Sequence, residues 1–195
     1  MSDLGFDKWG VGMKLRFITG FLLLCVTPVL AEPKPVGGDL TYTAYPTAIF
    51  EAGMEKGDGA PEGSSFLHAK SDGDLRRQGA ELASWVPGDN KGKRLHLVTK
   101  LKTELATRAS CALEAWDDKR AMVEADGTFR SGTSGWQDCN VVMQIPDNAT
   151  RVRVRYYLRG GGKVWSDGFR IEEVGADVPE THRVNSNMDR SLDER

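Results

Sequence analysis

The chain has 195 residues, a formal net charge of −2 and 39% hydrophobic residues, an ordinary globular composition. That length suits one domain with a sizeable core rather than two. The near-neutral balance argues against a nucleic-acid binder driven by bulk charge. The first stretch in chain order reads as an export signal. Lys14 and Arg16 form a positive region, residues 17–26 are apolar, and Val29, Leu30 and Ala31 precede an expected cleavage after Ala31. Asp3 and Asp7 suit such a region poorly, so Met13 is an alternative start. Cys25 lacks the small preceding residue of a lipoprotein signal. The apolar span is shorter than a membrane helix requires, so a periplasmic or secreted protein is expected, not a membrane-spanning one.

Residues 32–39 are rich in Pro and Gly and read as a linker. Residues 40–50 suit a first strand, bent at Pro46. Residues 51–65 carry Gly, Glu and Asp and read as a surface loop. A short strand is expected at 66–70, and residues 76–84 read as a turn of helix or a strand with polar breaks, the β surroundings favouring strand. In 94–104, Leu95, Leu97 and Leu101 alternate with His96, Lys100 and Lys102. A strand over 109–116 is followed by a long connection, 117–135, with at most one short strand near Met122. From Trp136 three strands run in succession. Val141, Met143 and Ile145 alternate. So do Val152, Val154, Tyr156 and Leu158, against Arg151, Arg153, Arg155, Tyr157 and Arg159. Gly160, Gly161 and Gly162 close a hairpin. Trp165, Asp167, Phe169 and Ile171 then share one parity, which turns a carboxylate toward the core. Residues 179–195 are polar, aperiodic and read as a disordered tail.

About eight short strands with turns between them predict an all-β protein: one antiparallel β-sandwich of jelly-roll type over residues 40–178. Residues 49–53 (IFEAG), 64–70 (SSFLHAK), 91–104 (KGKRLHLVTKLKTE), Trp136 through IPDNA, and 158–174 (LRGGGKVWSDGFRIEEV) resemble the galactose-binding-like jelly rolls. These are bacterial modules related to carbohydrate-binding domains, which often accompany enzymes or regulators. The resemblance implies the fold and a ligand-binding role. It also implies a structural calcium, held by an acid after the first strand and one in the last strand. Glu51 and Asp167 occupy those places, with carbonyls of residues 71–73 as further ligands. The second acid that the family commonly shows in the last strand is replaced by Gly168. The alternative for Asp167 is a solvated or backbone-capped strand end.

Enzyme signatures are absent. The three histidines lie on different segments without zinc spacing. GTSGW at 132–136 is not a nucleophile elbow, and GGGK at 160–163 is not a phosphate loop. A non-catalytic module is therefore expected; a hydrolase reading would need a cluster of buried carboxylates. The arginine stripe is the main surface feature. Arg153 and Arg155 with Tyr157, joined in one sheet by His96, Lys100 and Lys102, would form a basic platform for an anionic glycan or cell-envelope polymer. The same stripe would equally be a solvated face paired with acids such as Glu104 or Glu172. Trp85 and Trp116 are candidate sugar-stacking residues, whereas Trp136 and Trp165 read as packing. Cys111 and Cys139 share inward parity. They form either two separate buried thiols or one disulfide.

Overall fold

The computed structural model describes residues 34–35, 40–57, 60–71, 75, 77–119 and 121–181. The expected export signal, the tail beyond residue 181 and most of the expected calcium loop lie outside the described residues. The described residues are all-β and antiparallel. Eleven strands are present among the described residues: β1 (Lys34–Pro35), β2 (Thr41–Tyr45), β3 (Phe50–Gly57), β4 (Ala60–Ala69), β5 (Gly79–Val86), β6 (Arg94–Trp116), β7 (Ala121–Asp126), β8 (Arg130–Gln144), β9 (Arg151–Arg159), β10 (Lys163–Ser166) and β11 (Arg170–Glu173).

Strand β6 organises the molecule. It joins the two runs expected separately at 94–104 and 109–116 into one strand of 23 residues. Three register shifts against β8 and a left-handed Leu105, φ 49°, bend it midway. The bend makes two wings. In the first, β2, β5, β9 and the second half of β6 lie side by side, with β7 beyond. In the second, β3, β4, β10 and the first half of β6 are neighbours, with β8 and β11 also on β6. The wings share one core, to which Leu97, Leu113, Val141, Val154 and Leu158 contribute fully buried side chains. Each such side chain stabilises the fold by roughly 1.5–3 kcal/mol. The Tyr156 hydroxyl of β9 hydrogen-bonds Ser65 of β4 at 2.9 Å across that core.

Several expected elements change. Residues 51–57 and 60–65 lie in the paired strands β3 and β4 and not in a loop. A strand at a sheet border is held by its backbone ladder and needs no apolar alternation, so its sequence gave no strand signal. Lys34 and Pro35, in the expected linker, pair with Ile171 and Arg170 of β11. Thr181, in the expected tail, docks its amide on the Val142 carbonyl at 2.8 Å. The shared inward parity of Trp165, Asp167 and Phe169 is corrected. Val164 and Phe169 are in the core, while Trp165 packs outward under Lys102 and Lys163. The strand ends at Ser166 and the chain turns through Gly168, φ 96°, which resets the alternation. The two cysteines are bonded to each other, 28 positions apart with Cα atoms 6.2 Å apart, so the reading as separate thiols is set aside. Cys111 belongs to the second half of β6, and Cys139 lies opposite Thr99 of the first half, so the bond links the wings.

Candidate functional site

The inward residues of β9 are apolar, so its other parity, Arg151 to Arg159, forms the outward face of the first wing. Register fixes the neighbours on that face. Arg153 lies between Trp85 of β5 and Glu114 of β6. Arg155 lies between Ala83 and Ala112, whose small side chains leave room for a guanidinium to lie flat. Tyr157 lies between Glu81 and Ser110.

The arginines are consumed by acids. Arg155 is only 8% exposed. Its Nε donates to Glu114 at 2.6 Å, one terminal nitrogen reaches Glu124, and the other lies 3.5 Å from Glu81. Arg153 pairs with Glu81 and, at 3.3 Å, with Glu114. Burial alone would loosen the Arg155 proton, but Glu124, Glu114 and Glu81 outweigh it and hold the guanidinium firmly charged. Glu124 and Asp126 behave in the opposite way. Loss of solvation pushes both carboxyls up, and Arg155 only partly offsets this. Asp126 accepts a hydrogen bond from Tyr157, whose phenol is itself pushed up by burial and then by Asp126. The stripe therefore is an ion-paired face, as the reading of cross-strand pairing allowed, with Glu81, Glu114 and Glu124 as its acids in place of Glu104 or Glu172.

Trp85 and Trp116 meet edge to face at one end, 5.8 Å between ring centres. Trp85 is 39% exposed. Arg151 stacks on Trp85 at 4.3 Å, and the Trp116 indole N–H donates to Glu114 at 2.8 Å. A depression of about 170 Å³ opens beside them, lined by Thr41, Ala83, Ser84 and Arg153 as well as the two indoles. Further along β9 a second depression of about 300 Å³ is lined by Thr43, Tyr45, Glu81, Arg155, Tyr157 and Arg159, among others. The two depressions share no lining residue but follow one another along β5 and β9; as a groove they would have an aromatic end and a charged floor. An indole face takes the apolar side of a sugar ring, and fixed carboxylates and guanidiniums accept and donate hydrogen bonds to hydroxyls.

The structure does not bring His96, Lys100 and Lys102 to this site. They lie on the first half of β6, opposite Glu172, Asp138 and Trp165, in the other wing. His96 Nδ1 lies 2.5 Å from Glu172, and Lys102 stacks on Trp165 at 5.1 Å. The single basic platform is thus divided by the bend in β6. Glu51 and Asp167 are not brought together either. Glu51 lies opposite His68 of β4 and bonds it at 2.9 Å. Asp167 follows the far end of β10, where it accepts from the Lys100 amide at 2.7 Å, the Thr99 hydroxyl at 3.2 Å and Arg170 at 3.0 Å. No group of three or more His, Cys, Asp or Glu suited to a metal occurs among the described residues. Sequence reasoning missed Tyr45, Glu81, Glu114, Glu124 and Asp126. For Glu114 a signal existed, since it shares the outward parity of Trp116.

No protein-family model matches the chain. Among solved structures, the CBM22-1 and GH10 modules of Clostridium thermocellum xylanase 10B, complexed with xylohexaose, superpose with a TM-score of 0.53 at 8% identity. The match covers 78% of this chain and 30% of that one. The CBM22-1–CBM22-2 tandem domain of Paenibacillus barcinonensis Xyn10C gives 0.50 at 14% identity, covering 68% and 46%. The chain shares the all-β fold of these carbohydrate-binding modules, as the galactose-binding-like resemblance implied. In sequence, the uncharacterised HTH-type transcriptional regulator YbfP of Bacillus subtilis is 30% identical over 95 residues, 47% of this chain. The chain spans only 32% of that protein. A helix-turn-helix is a helical unit, and the described residues contain no α-helix.

Proposed function

We propose that this chain is an exported, non-catalytic carbohydrate-binding module whose glycan lies in the groove of the first wing. The observation that carries the reading is the Trp85–Trp116 pair at the mouth of a groove with a fixed polar floor. The bound xylohexaose of the xylanase structure supports an oligosaccharide as the ligand type. The Cys111–Cys139 bond supports export, because such bonds persist in oxidising compartments. Glu114 and Asp126, both buried, and the half-buried Glu124 do form the cluster of carboxylates that a hydrolase would need. However, Glu114 and Glu124 are held by Arg155 and Arg153, which leaves neither poised to act on a glycosidic bond. The extent of ion pairing on the face favours one second reading, a structural or protein-interaction module with no sugar ligand.

A glycan array followed by calorimetry with the best ligand tests the proposal. Binding is expected, and Trp85→Ala with Trp116→Ala should weaken it by about tenfold or more, since stacked aromatics dominate such contacts. An array without a retained glycan would leave the structural reading. Release of reducing ends from a bound oligomer would restore the hydrolase.

A further inference from the structure

The two depressions beside β9 lie on one outward surface. Neighbouring outward residues of three strands divide between them. Thr41 of β2, Ala83 of β5 and Arg153 of β9 line the smaller one. Thr43, Glu81 and Arg155, the next outward residues along the same strands, line the larger. A ligand that leaves the indole end along β5 therefore meets the larger depression next. At the far end Tyr45 of β2 lies opposite Gly79 of β5, and Gly79 opposite Arg159 of β9. Directly opposed residues of an antiparallel sheet project from the same face. Gly79 contributes no side chain, so the sheet is bare between the Tyr45 ring and Arg159. A Cβ at Gly79 would stand 3.0 Å from the Leu158 carbonyl and 3.4 Å from Arg159 Cγ. Tyr42 and Ala44 of β2 pack against the core, whereas Tyr45 is 78% exposed and lines the depression. Trp85 and Gly79 mark the two ends of the outward row of β5, roughly 20 Å apart at the rise of a strand.

The surface between these ends is charged but balanced. Arg153 and Arg155 are answered by Glu81, Glu114 and Glu124. Arg155 and Arg159 both stack on Tyr157, at 4.5 and 5.8 Å, and Asp126 acts on both guanidiniums. Glu81 directs one oxygen to each of two guanidiniums, and every carboxylate oxygen has a second lone pair that can accept from a hydroxyl. The exposed residues Thr41 and Thr43 add hydroxyls along β2 that both donate and accept. The floor therefore offers fixed hydrogen-bonding groups to a polyol and no unanswered charge to an anion.

We propose that Tyr45, beside the bare sheet at Gly79, forms a second sugar-stacking subsite, and that the ligand is an uncharged linear oligosaccharide reaching from the indole pair to Tyr45. A phenol ring presents the apolar side of a sugar with the same kind of flat surface as an indole. The distance between the two ends exceeds what a disaccharide covers, so only a longer chain engages both. The inference rests on the groove being the glycan site and adds the length and charge class of the ligand.

The test is calorimetry on the intact chain with xylo-oligosaccharides and cello-oligosaccharides, each from disaccharide to hexasaccharide, and with a hexameric oligouronate. Within a bound neutral series the hexasaccharide is expected to bind at least about tenfold tighter than the disaccharide, and the oligouronate no tighter than the neutral hexasaccharide. Tyr45→Ala should remove most of the gain with length, and Tyr45→Phe, which keeps the ring, should retain it. Tyr45→Val keeps strand propensity without a ring and carries the test if the alanine variant fails to fold. Trp85→Ala should weaken binding at every length. Affinity independent of length in the wild type, or an equal proportional loss at every length in Tyr45→Ala, overturns the subsite and leaves the glycan groove standing. An oligouronate bound tighter than the neutral hexasaccharide also overturns the proposal, because the floor then carries charge for an anion. No binding of any oligomer by a folded protein removes the groove reading and the subsite together.

Discussion

Asp126 shows how much a single side chain on this face is under constraint. It is 7% exposed, has one oxygen without a partner, and is held above the ordinary carboxylate range by lost solvation. A carboxyl whose folded pKa is raised contributes most to stability below its unfolded value, about 3.9, and that contribution is lost as pH rises through the folded value. Asp126→Asn cannot ionise, and its amide oxygen can still accept from Tyr157. We expect the unfolding free energy of wild type relative to this variant to fall as pH rises from about 4 to about 7. Urea unfolding across that range measures it, and a difference independent of pH would refute the account. At this scale the sequence was half legible. Alternation in β9 placed Arg153, Arg155 and Tyr157 on the outward side, yet it says nothing about which strands flank them. Glu81 sat in a run with polar breaks, and Glu124 and Asp126 fell in a segment read as a connection. Their partnership with Arg155 follows only from the register of β6 with β7 and β9.

The bend in β6 is built jointly with the glycine hairpin that follows β9. The Thr107 amide donates to the Gly161 carbonyl at 2.9 Å, and the Gly161 amide returns a bond to the Thr107 hydroxyl at 3.0 Å. Gly162, at φ 96°, lies so close to the bend that a Cβ would stand 2.3 Å from the Leu105 carbonyl and 2.5 Å from Ala106 Cα. Both obstacles are backbone and cannot swing aside. Gly162→Ala is therefore expected to cost about 3 kcal/mol, combining left-handed strain with overpacking. Gly132→Ala is the comparison. It shares the positive φ, 75°, but has open space around it, so it should cost roughly 1 kcal/mol, the strain alone. Equal losses for the two in chemical unfolding would show that contact with the bend contributes nothing. The sequence marked these glycines as a hairpin and, through alternation, marked the strands with one apolar face. It could not show that 94–104 and 109–116 are one strand, because a bend with register shifts interrupts the alternation just as a loop would.

At the scale of the molecule, the bend makes two wings and the Cys111–Cys139 bond fastens them. The 28-position loop it closes contains all of β7, and so Glu124 and Asp126. Gly127 sits directly on the bond. A Cβ there would meet Cys139 Sγ at 2.6 Å and Cys111 Sγ at 2.9 Å, and the Gly127 amide donates to the Cys111 carbonyl at 2.9 Å. The bond thus underlies the turn that leads out of β7. In the chain-entropy account, closing a loop of this length limits the unfolded ensemble and stabilises the fold by roughly 3–4 kcal/mol. The double variant Cys111→Ala and Cys139→Ala, which leaves no odd thiol, should lose about that much in urea unfolding. Its effect should also reach the groove unevenly. The Trp85–Trp116 end is supported by β5, β6 and β9, whereas the acid side rests on β7. Hydrogen exchange should therefore rise in residues 121–130 of the folded double variant before it rises in β5 or β9. Uniform loss of protection across both wings would instead mean that the bond stabilises the whole sheet without any particular hold on β7.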